Sequence, residues 1–83
     1  MYKTTVKIEG MMCEMCEAHV NDAIRNAIPG AGKVKSSHRK GESCFVSETI
    51  PREEILREAI EKNGYTVGSV NTEPYRKKLL GLF

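Results

Sequence analysis

The chain lacks tryptophan, has only three tyrosines and two phenylalanines, and carries a formal net charge of only +2. Proteins that bind nucleic acids usually combine a strongly basic surface with aromatic side chains on which bases stack. In addition, no apolar run approaches the roughly 18 residues that a membrane-spanning helix needs. The composition therefore argues against a nucleic-acid partner and against a transmembrane segment.

Length and cysteine count narrow the class of protein further. With 83 residues, of which 40% are hydrophobic and 29% charged, the chain can form one small domain with a thin core. The first residues do not combine a charged segment with a following apolar run. Three cysteines are an odd number, which suits a reducing compartment. We therefore expect a cytoplasmic protein.

The stretch Gly10-Met11-Met12-Cys13-Glu14-Met15-Cys16, called the cysteine loop below, carries the clearest chemical signal. It lies between an alternating apolar run and a helical pattern, where a strand passes into a helix. Two thiols at this spacing can converge on one soft metal ion, and a helix N-terminus lowers the pKa of a nearby thiol. The spacing also fits a thiol oxidoreductase or a local disulfide, although the redox proteins of this type would place more strands before the motif.

Hydrophobic periodicity predicts six elements in the order strand, helix, strand, strand, helix, strand. The first strand covers residues 2–9 and buries Val6 and Ile8, and the first helix covers residues 16–28. A weak strand over residues 33–39 and a stronger one over 43–48 flank a turn at Lys40-Gly41. The second helix has Pro51 in its first turn, and the last strand covers residues 65–70. The predicted buried faces of the two helices are Val20, Ile24, Ala27 and Ile28, and Ile55, Leu56, Ala59 and Ile60.

The cysteine loop has the pattern G-M-x-C-x-x-C after a first strand, which resembles the heavy-metal-associated domain family, of the bacterial copper-chaperone type. Gly64-Tyr65 is similar to the Gly-Tyr that bacterial members carry just before their last strand. The resemblance implies an α+β fold, a ferredoxin-like β-α-β-β-α-β sandwich with a four-stranded antiparallel sheet and two helices on one face. We expect residues 1–72 to form this domain and residues 73–83 to form a C-terminal tail.

The resemblance also implies roles for individual side chains. Cys13 and Cys16 are expected to be the metal ligands. Met11 is expected to support the loop from below as a buried side chain, and Tyr65 to pack against the loop and offer its hydroxyl to a thiolate. Three other side chains near the thiols are candidate secondary ligands: Glu14, Met15 and His19.

Softness and charge favour Cu(I) as the bound metal. Two thiolates satisfy Cu(I), which accepts near-linear coordination, whereas Zn(II) normally takes four ligands and often recruits a carboxylate or an imidazole. Relatives that select zinc, cadmium or lead tend to carry an aspartate directly before the first cysteine, where this chain has Met12. Mercury-detoxifying relatives share the cysteine pair but resemble exported proteins. Zn(II) remains an alternative because Glu14 could serve a divalent ion.

The resulting hypothesis is a non-enzymatic cytoplasmic metallochaperone. It would exchange Cu(I) with a P-type ATPase or a copper-responsive repressor, because a two-coordinate ion leaves room for a partner's thiolate. It would be a monomer that a shared metal ion can bridge into a dimer. The alternatives are a carrier of Zn(II), Cd(II) or Hg(II), a detached regulatory or storage domain, and a thiol oxidoreductase.

Overall fold

The computed structural model describes residues 1–75, which form four strands and two helices. Their order confirms the order predicted from periodicity. The predicted tail lies outside the described residues from residue 76 onward. In chain order the elements are β1 (Tyr2–Glu9), α1 (Glu14–Ala27), β2 (Gly32–Ser37), β3 (Glu42–Ser47), α2 (Glu53–Glu61) and β4 (Thr66–Pro74).

The strands form one antiparallel sheet in the order β2-β3-β1-β4. The central strand β1 pairs with β3 on one side and with β4 on the other, so that Val6 lies opposite both Ser43 and Val70. The helices pack against each other, and α1 also contacts β2 while α2 contacts β4. This arrangement confirms the predicted ferredoxin-like sandwich. Neither helix within residues 1–75 has the length and apolar character needed to cross a membrane.

The core lies between the helices and the inward face of the sheet. Phe45 of β3 is the largest fully buried side chain among the described residues, and it lies opposite Thr4 of β1. Alternation along β1 places Thr4, Val6 and Ile8 on this inward face, as the sequence predicts for the two apolar residues. The buried apolar cluster consists of Val6, Ile8, Met11, Val20, Ile24, Val34, Phe45, Leu56, Ile60 and Val67.

We expect the protein to be folded without metal, unlike a zinc finger, because its buried apolar cluster consists of side chains alone. Protein treated with a chelator should give a circular dichroism spectrum of mixed helix and strand and should unfold cooperatively on heating. A random-coil spectrum that becomes native only on addition of metal would contradict this expectation.

The helix faces differ from the prediction at the ends of the buried stripes. Leu56 and Ile60 are fully buried, but Ile55 is 40% exposed, so its assignment to the core was wrong. Ile55 lies instead at a groove between the two helices, beside Ala23 and Ala59. A 100° turn per residue moves Ile55 off the face that Leu56 directs inward.

The start of α2 and the end of β4 also differ from the prediction. The first helical hydrogen bond of α2 runs from Leu56 N to Arg52 O (3.2 Å), so Pro51 precedes the helix instead of lying in its first turn. β4 does not stop at residue 70 but continues to Pro74, opposite Tyr2 of β1. The extension matters for packing because the hydroxyl of Thr72 lies 3.0 Å from that of buried Thr4.

Polar contacts explain why the weak second strand forms despite its composition. Ser36 of β2 donates a hydrogen bond to Asn21 Oδ1 of α1 (2.6 Å) and lies 2.6 Å from the Ser43 hydroxyl of β3. Because Ser36 has a single hydroxyl proton, Ser43 must be the donor in the second bond. This chain of side chains joins three elements and satisfies Ser43, which is almost fully buried.

Candidate metal centre

The cysteine loop leaves β1 at Gly10, whose backbone has a φ of 106°. A side chain would be strained in this conformation, and a Cβ at Gly10 would lie 3.3 Å from Cδ1 of Tyr65. Glycine therefore permits both the sharp turn out of the strand and the close packing of the Tyr65 ring.

The three methionines of the cysteine loop have different environments. Met11 is 6% exposed and belongs to the core cluster, so it anchors the loop to the domain. Met12, which precedes Cys13, and Met15, which lies between the two cysteines in sequence, are 81% and 68% exposed. The loop is thus held from below and presents soft apolar atoms to solvent.

The two loop cysteines lie at the beginning of α1. Cys13 is the N-cap residue and has an extended backbone, and Cys16 lies in the first turn, where its N–H donates to Cys13 O (3.1 Å). The Cys13 thiol donates to the Cys16 sulfur across 3.8 Å. Both are free thiols, with Cys13 exposed and Cys16 half-buried. This geometry leaves the Cys13 sulfur open to solvent and the Cys16 sulfur partly covered by the domain.

The environment of Cys16 stabilises its thiolate. A hydrogen bond from the Tyr65 hydroxyl is the largest cause that lowers the pKa of Cys16 to about 7 from the ordinary 9.0, followed by the backbone of Met12. Burial opposes this shift, and the backbone and thiol of Cys13 add to it. The same hydrogen bond, together with burial and the charge of the thiolates, raises the pKa of Tyr65 to about 12. Tyr65 therefore remains a proton donor at neutral pH, where the lowered pKa of Cys16 allows its thiolate to form.

We predict that Tyr65→Phe raises the pKa of Cys16 because it removes the largest stabilising contact of the thiolate. Because the thiolate is the form that is alkylated, a higher pKa of Cys16 moves fast alkylation to higher pH. The wild-type thiol should alkylate fast above pH 7 and slow as pH falls through 7, whereas the variant should need a higher pH for the same rate.

The alkylation rate of Cys16 should be measured against pH in a Cys13→Ser, Cys44→Ser background, with and without Tyr65→Phe. A Tyr2→Phe variant in the same background controls for the loss of a tyrosine hydroxyl elsewhere. Identical pH midpoints in the Tyr65 and Tyr2 variants would contradict the assigned role of Tyr65.

A second support of the cysteine loop involves Glu17, which sequence reasoning missed. Its Oε2 accepts hydrogen bonds from the backbone N of His38 (2.8 Å) and from His38 Nδ1 (2.6 Å). These contacts lower the pKa of the Glu17 carboxyl. Gly41 completes the support by accepting a bond from Ile8 N (2.8 Å). The turn between β2 and β3 is thus tied to both elements that flank the loop, through pairs too far apart in sequence to give a local pattern.

The three candidate secondary ligands lie on the surface of the protein. Glu14, Met15 and His19 are all exposed on α1. Within residues 1–75, His, Cys, Asp and Glu side chains form no group of three or more that could hold a metal ion. The third cysteine, Cys44, lies on β3 opposite Thr5. The structure thus brings the sulfurs of Cys13 and Cys16 to 3.8 Å from each other.

Comparison with other proteins shows bacterial relatives by sequence, although no family model matches the chain. The mercuric reductase of Lysinibacillus sphaericus is 37% identical over 71 residues, and that of Shigella flexneri is 34% identical over 62 residues. These alignments cover 84% and 75% of this chain but only 12% and 11% of the reductases. The chain thus spans about an eighth of the length of these relatives.

Solved structures of separate small domains match over nearly their whole length. The CopZ metallochaperone superposes with a TM-score of 0.70 at 25% identity, covering 80% of this chain and 98% of that chain. A copper-binding domain from HMA7, a P-type ATPase, gives a TM-score of 0.69 at 25% identity, covering 89% and 96% respectively. The fold and the cysteine pair at the start of α1 define a small ferredoxin-like domain of the metal-binding class. The chain shares the fold of the heavy-metal-associated domains that its cysteine motif resembles.

Proposed function

We propose that the protein binds Cu(I) between Cys13 and Cys16 and passes it to the thiolates of a partner. The observation that carries this proposal is the donor set, which consists of two sulfurs 3.8 Å apart at the start of α1. Within residues 1–75 no imidazole or carboxylate completes a group of three around them. Two soft donors suit Cu(I), whereas Zn(II) would lack two of its usual ligands.

Binding requires only a small adjustment of the site. Near-linear coordination places two sulfurs about 4.5 Å apart, roughly twice a metal–sulfur bond of about 2.3 Å. The observed separation is 3.8 Å. Cys13 is exposed and can rotate outward, while Cys16 stays in contact with the domain. The helix N-terminus and backbone N–H groups stabilise the single negative charge that two thiolates and Cu(I) leave on the site.

The difference in exposure between the two cysteines sets the order in which their bonds to the ion are replaced. A partner's thiolate approaches the ion beside exposed Cys13, forms a three-coordinate intermediate and replaces this first sulfur. A second partner thiolate then displaces Cys16. The Tyr65 hydroxyl and the Met12 backbone stabilise the thiolate that remains at Cys16 after the ion has left. The step exchanges ligands without oxidation or reduction, so the protein is a carrier and not an enzyme.

The surroundings of the cysteines provide a surface for the partner. Met12 and Met15 are exposed on either side of Cys13, and their flexible thioethers can adapt to another protein. We propose that this surface binds a cytoplasmic partner that offers thiolate ligands. This partner is either a domain of the same family in a P-type ATPase or a copper-responsive repressor. The matched ATPase domain supports the first of these partners.

Transfer tests this proposal directly. Cu(I)-loaded protein is mixed anaerobically with the apo metal-binding domain of a copper ATPase from the same host, and the proteins are then separated and analysed for copper. Copper should redistribute between them, and a small free chelator present at the same time should capture little of it. Copper that stays on the protein despite excess apo domain would identify a storage domain and overturn the carrier assignment.

Mercury is the second candidate cargo, because the relatives found by sequence are named mercuric reductases. Hg(II) is also soft and suits two thiolates. The two cargoes are distinguished by deleting the gene and growing the host on copper or mercury salts. Greater sensitivity to copper supports the copper assignment, whereas greater sensitivity to mercury alone would replace Cu(I) by Hg(II).

A further inference from the structure

Glu17 is the carboxylate that follows Cys16 directly in the first turns of α1. It also lies one helical turn after Cys13, and its backbone N–H donates to Cys13 O (3.3 Å). Side chains four residues apart on a helix are neighbours, with Cβ atoms about 5–6 Å from each other. An unrestrained carboxylate at Glu17 could therefore reach a metal ion bound to the Cys13 sulfur.

In the structure this carboxylate is bound instead by the turn between β2 and β3. Its Oε2 accepts hydrogen bonds from His38 Nδ1 (2.6 Å) and from the backbone N–H of His38 (2.8 Å). The side chains of Glu17 and His38 are only 23% and 27% exposed, so the protein partly shields these bonds from water. Within residues 1–75, Glu17 does not join the two thiols in a group that could hold a metal ion.

The turn that carries His38 is itself held in place. Gly41 N donates to Ser37 O (2.9 Å) and closes the turn, and Ile8 N donates to Gly41 O (2.8 Å) and ties the turn to the end of β1. A Cβ at Gly41 would lie 3.2 Å from Ile8 O, so glycine permits this close approach. His38 therefore presents its two donors to Glu17 from a fixed position.

We propose that His38 determines the metal specificity of the cysteine pair by withholding the carboxylate of Glu17 from the bound ion. This inference rests on the proposed two-thiolate site. Two sulfurs, one carboxylate and a water molecule would satisfy the four-coordinate preference of Zn(II). A carboxylate oxygen is a hard donor, so it would add little for a soft ion such as Cu(I). With Glu17 bound to His38, the site offers an ion only the two soft donors.

The Zn(II) affinity of His38 variants tests this proposal on the full chain. His38→Ala removes the ring donor and should bind Zn(II) about tenfold more tightly than the wild type, while its Cu(I) affinity stays the same. The backbone N–H of residue 38 remains and still competes for the carboxylate, so we expect the lower end of the roughly 10- to 100-fold effect of residues that orient metal ligands. His38→Leu keeps a bulky side chain in the turn and should give the same gain. Both affinities are measured anaerobically against a chelator, at protein concentrations where one ion binds per monomer.

Second substitutions identify the residue that the loss of His38 releases. Adding Glu17→Gln to His38→Ala removes the released carboxylate and should restore the wild-type Zn(II) affinity. Adding Glu58→Gln instead makes the same chemical change at an exposed position on α2 and should leave the gain intact. His38→Asn keeps a side-chain N–H donor for Glu17 and should bind Zn(II) like the wild type. All variants should keep the native circular dichroism spectrum, because Glu17 and His38 lie outside the core cluster.

The outcomes separate this inference from the proposed function. Equal Zn(II) affinities of the wild type and both single variants that lack a side-chain donor at residue 38 would overturn it. A gain that survives Glu17→Gln, or one that Glu14→Gln abolishes, would assign the new ligand to another residue and would also overturn it. Each of these results leaves Cu(I) binding by the cysteine pair untouched, whereas failure of the proposed function would show in the Cu(I) affinity of the wild type itself.

Discussion

Replacing Cys16 by serine is expected to abolish tight Cu(I) binding while leaving the fold intact. The substitution removes one of two sulfurs, and the described residues gather no third His, Cys, Asp or Glu donor to replace it. Removing a supporting residue of a metal site typically costs about 10- to 100-fold in affinity, and removing a ligand should cost more. Cys13→Ser should have the same effect. Affinity is measured anaerobically against a competing Cu(I) chelator.

Cys44→Ser is the matched control, because it makes the same chemical change on β3, outside the cysteine loop. This variant should bind Cu(I) like the wild type, and all three variants should keep the native circular dichroism spectrum. Near wild-type affinity in either loop variant would show that the cysteine pair is not the site. A loss of affinity in Cys44→Ser would point to a third thiol ligand.

Replacing Phe45 by alanine should lower the free energy of unfolding by about 3–5 kcal/mol. The side chain is fully buried on the central part of the sheet and contributes to the core beneath both helices. Because native proteins have total stabilities of only about 5–15 kcal/mol, this loss should remove a large fraction of the stability of the domain. Urea denaturation followed by circular dichroism measures the change.

Met12→Ala is the comparison for this core variant, because Met12 is 81% exposed. Its free energy of unfolding should change by less than about 0.5 kcal/mol. A loss of less than about 1 kcal/mol in Phe45→Ala would show that the core collapses around the missing ring or does not depend on it.

The sequence predicts the elements of this domain well wherever apolar periodicity is strong. β1 has the predicted bounds, and α1 and β3 differ by one or two residues at their ends. The prediction weakens where the physical cause is a contact between distant residues. The core contact of Thr4 with Thr72 extends β4, and the chain from Asn21 to Ser43 stabilises β2, but neither produces a local pattern.

The candidate site is predictable to a similar degree. The short motif indicates the two thiols and their place before a helix, and the resemblance to the family implies Met11 and Tyr65. The support of the loop by Glu17 and His38 is not predictable, because the pair is 21 residues apart and His38 lies in a polar stretch. The sequence also does not show which contact lowers the pKa of Cys16 most. In the structure this contact is the Tyr65 hydroxyl, whose effect on the pKa is larger than that of the backbone groups at the start of α1.

Zn(II) and Cu(I) should differ in how their binding depends on protein concentration. A single copy of the protein offers Zn(II) two sulfurs, and exposed Glu14 and His19 do not form a group with them. Zn(II) would therefore need the thiols of a second copy, and apparent Zn(II) binding should rise with protein concentration as a metal-bridged dimer forms. Cu(I) needs no second copy, so its binding should not depend on protein concentration in this way.

Competition between Cu(I) and Zn(II) on the reduced wild-type protein, under anaerobic conditions and at low protein concentration, tests the central claim most directly. The two-thiolate site predicts that Cu(I) occupies the monomer at one ion per chain and that Zn(II) at equal free concentration does not displace it. Displacement of Cu(I) by Zn(II) from the monomer would contradict the copper assignment and identify a carrier of divalent metal.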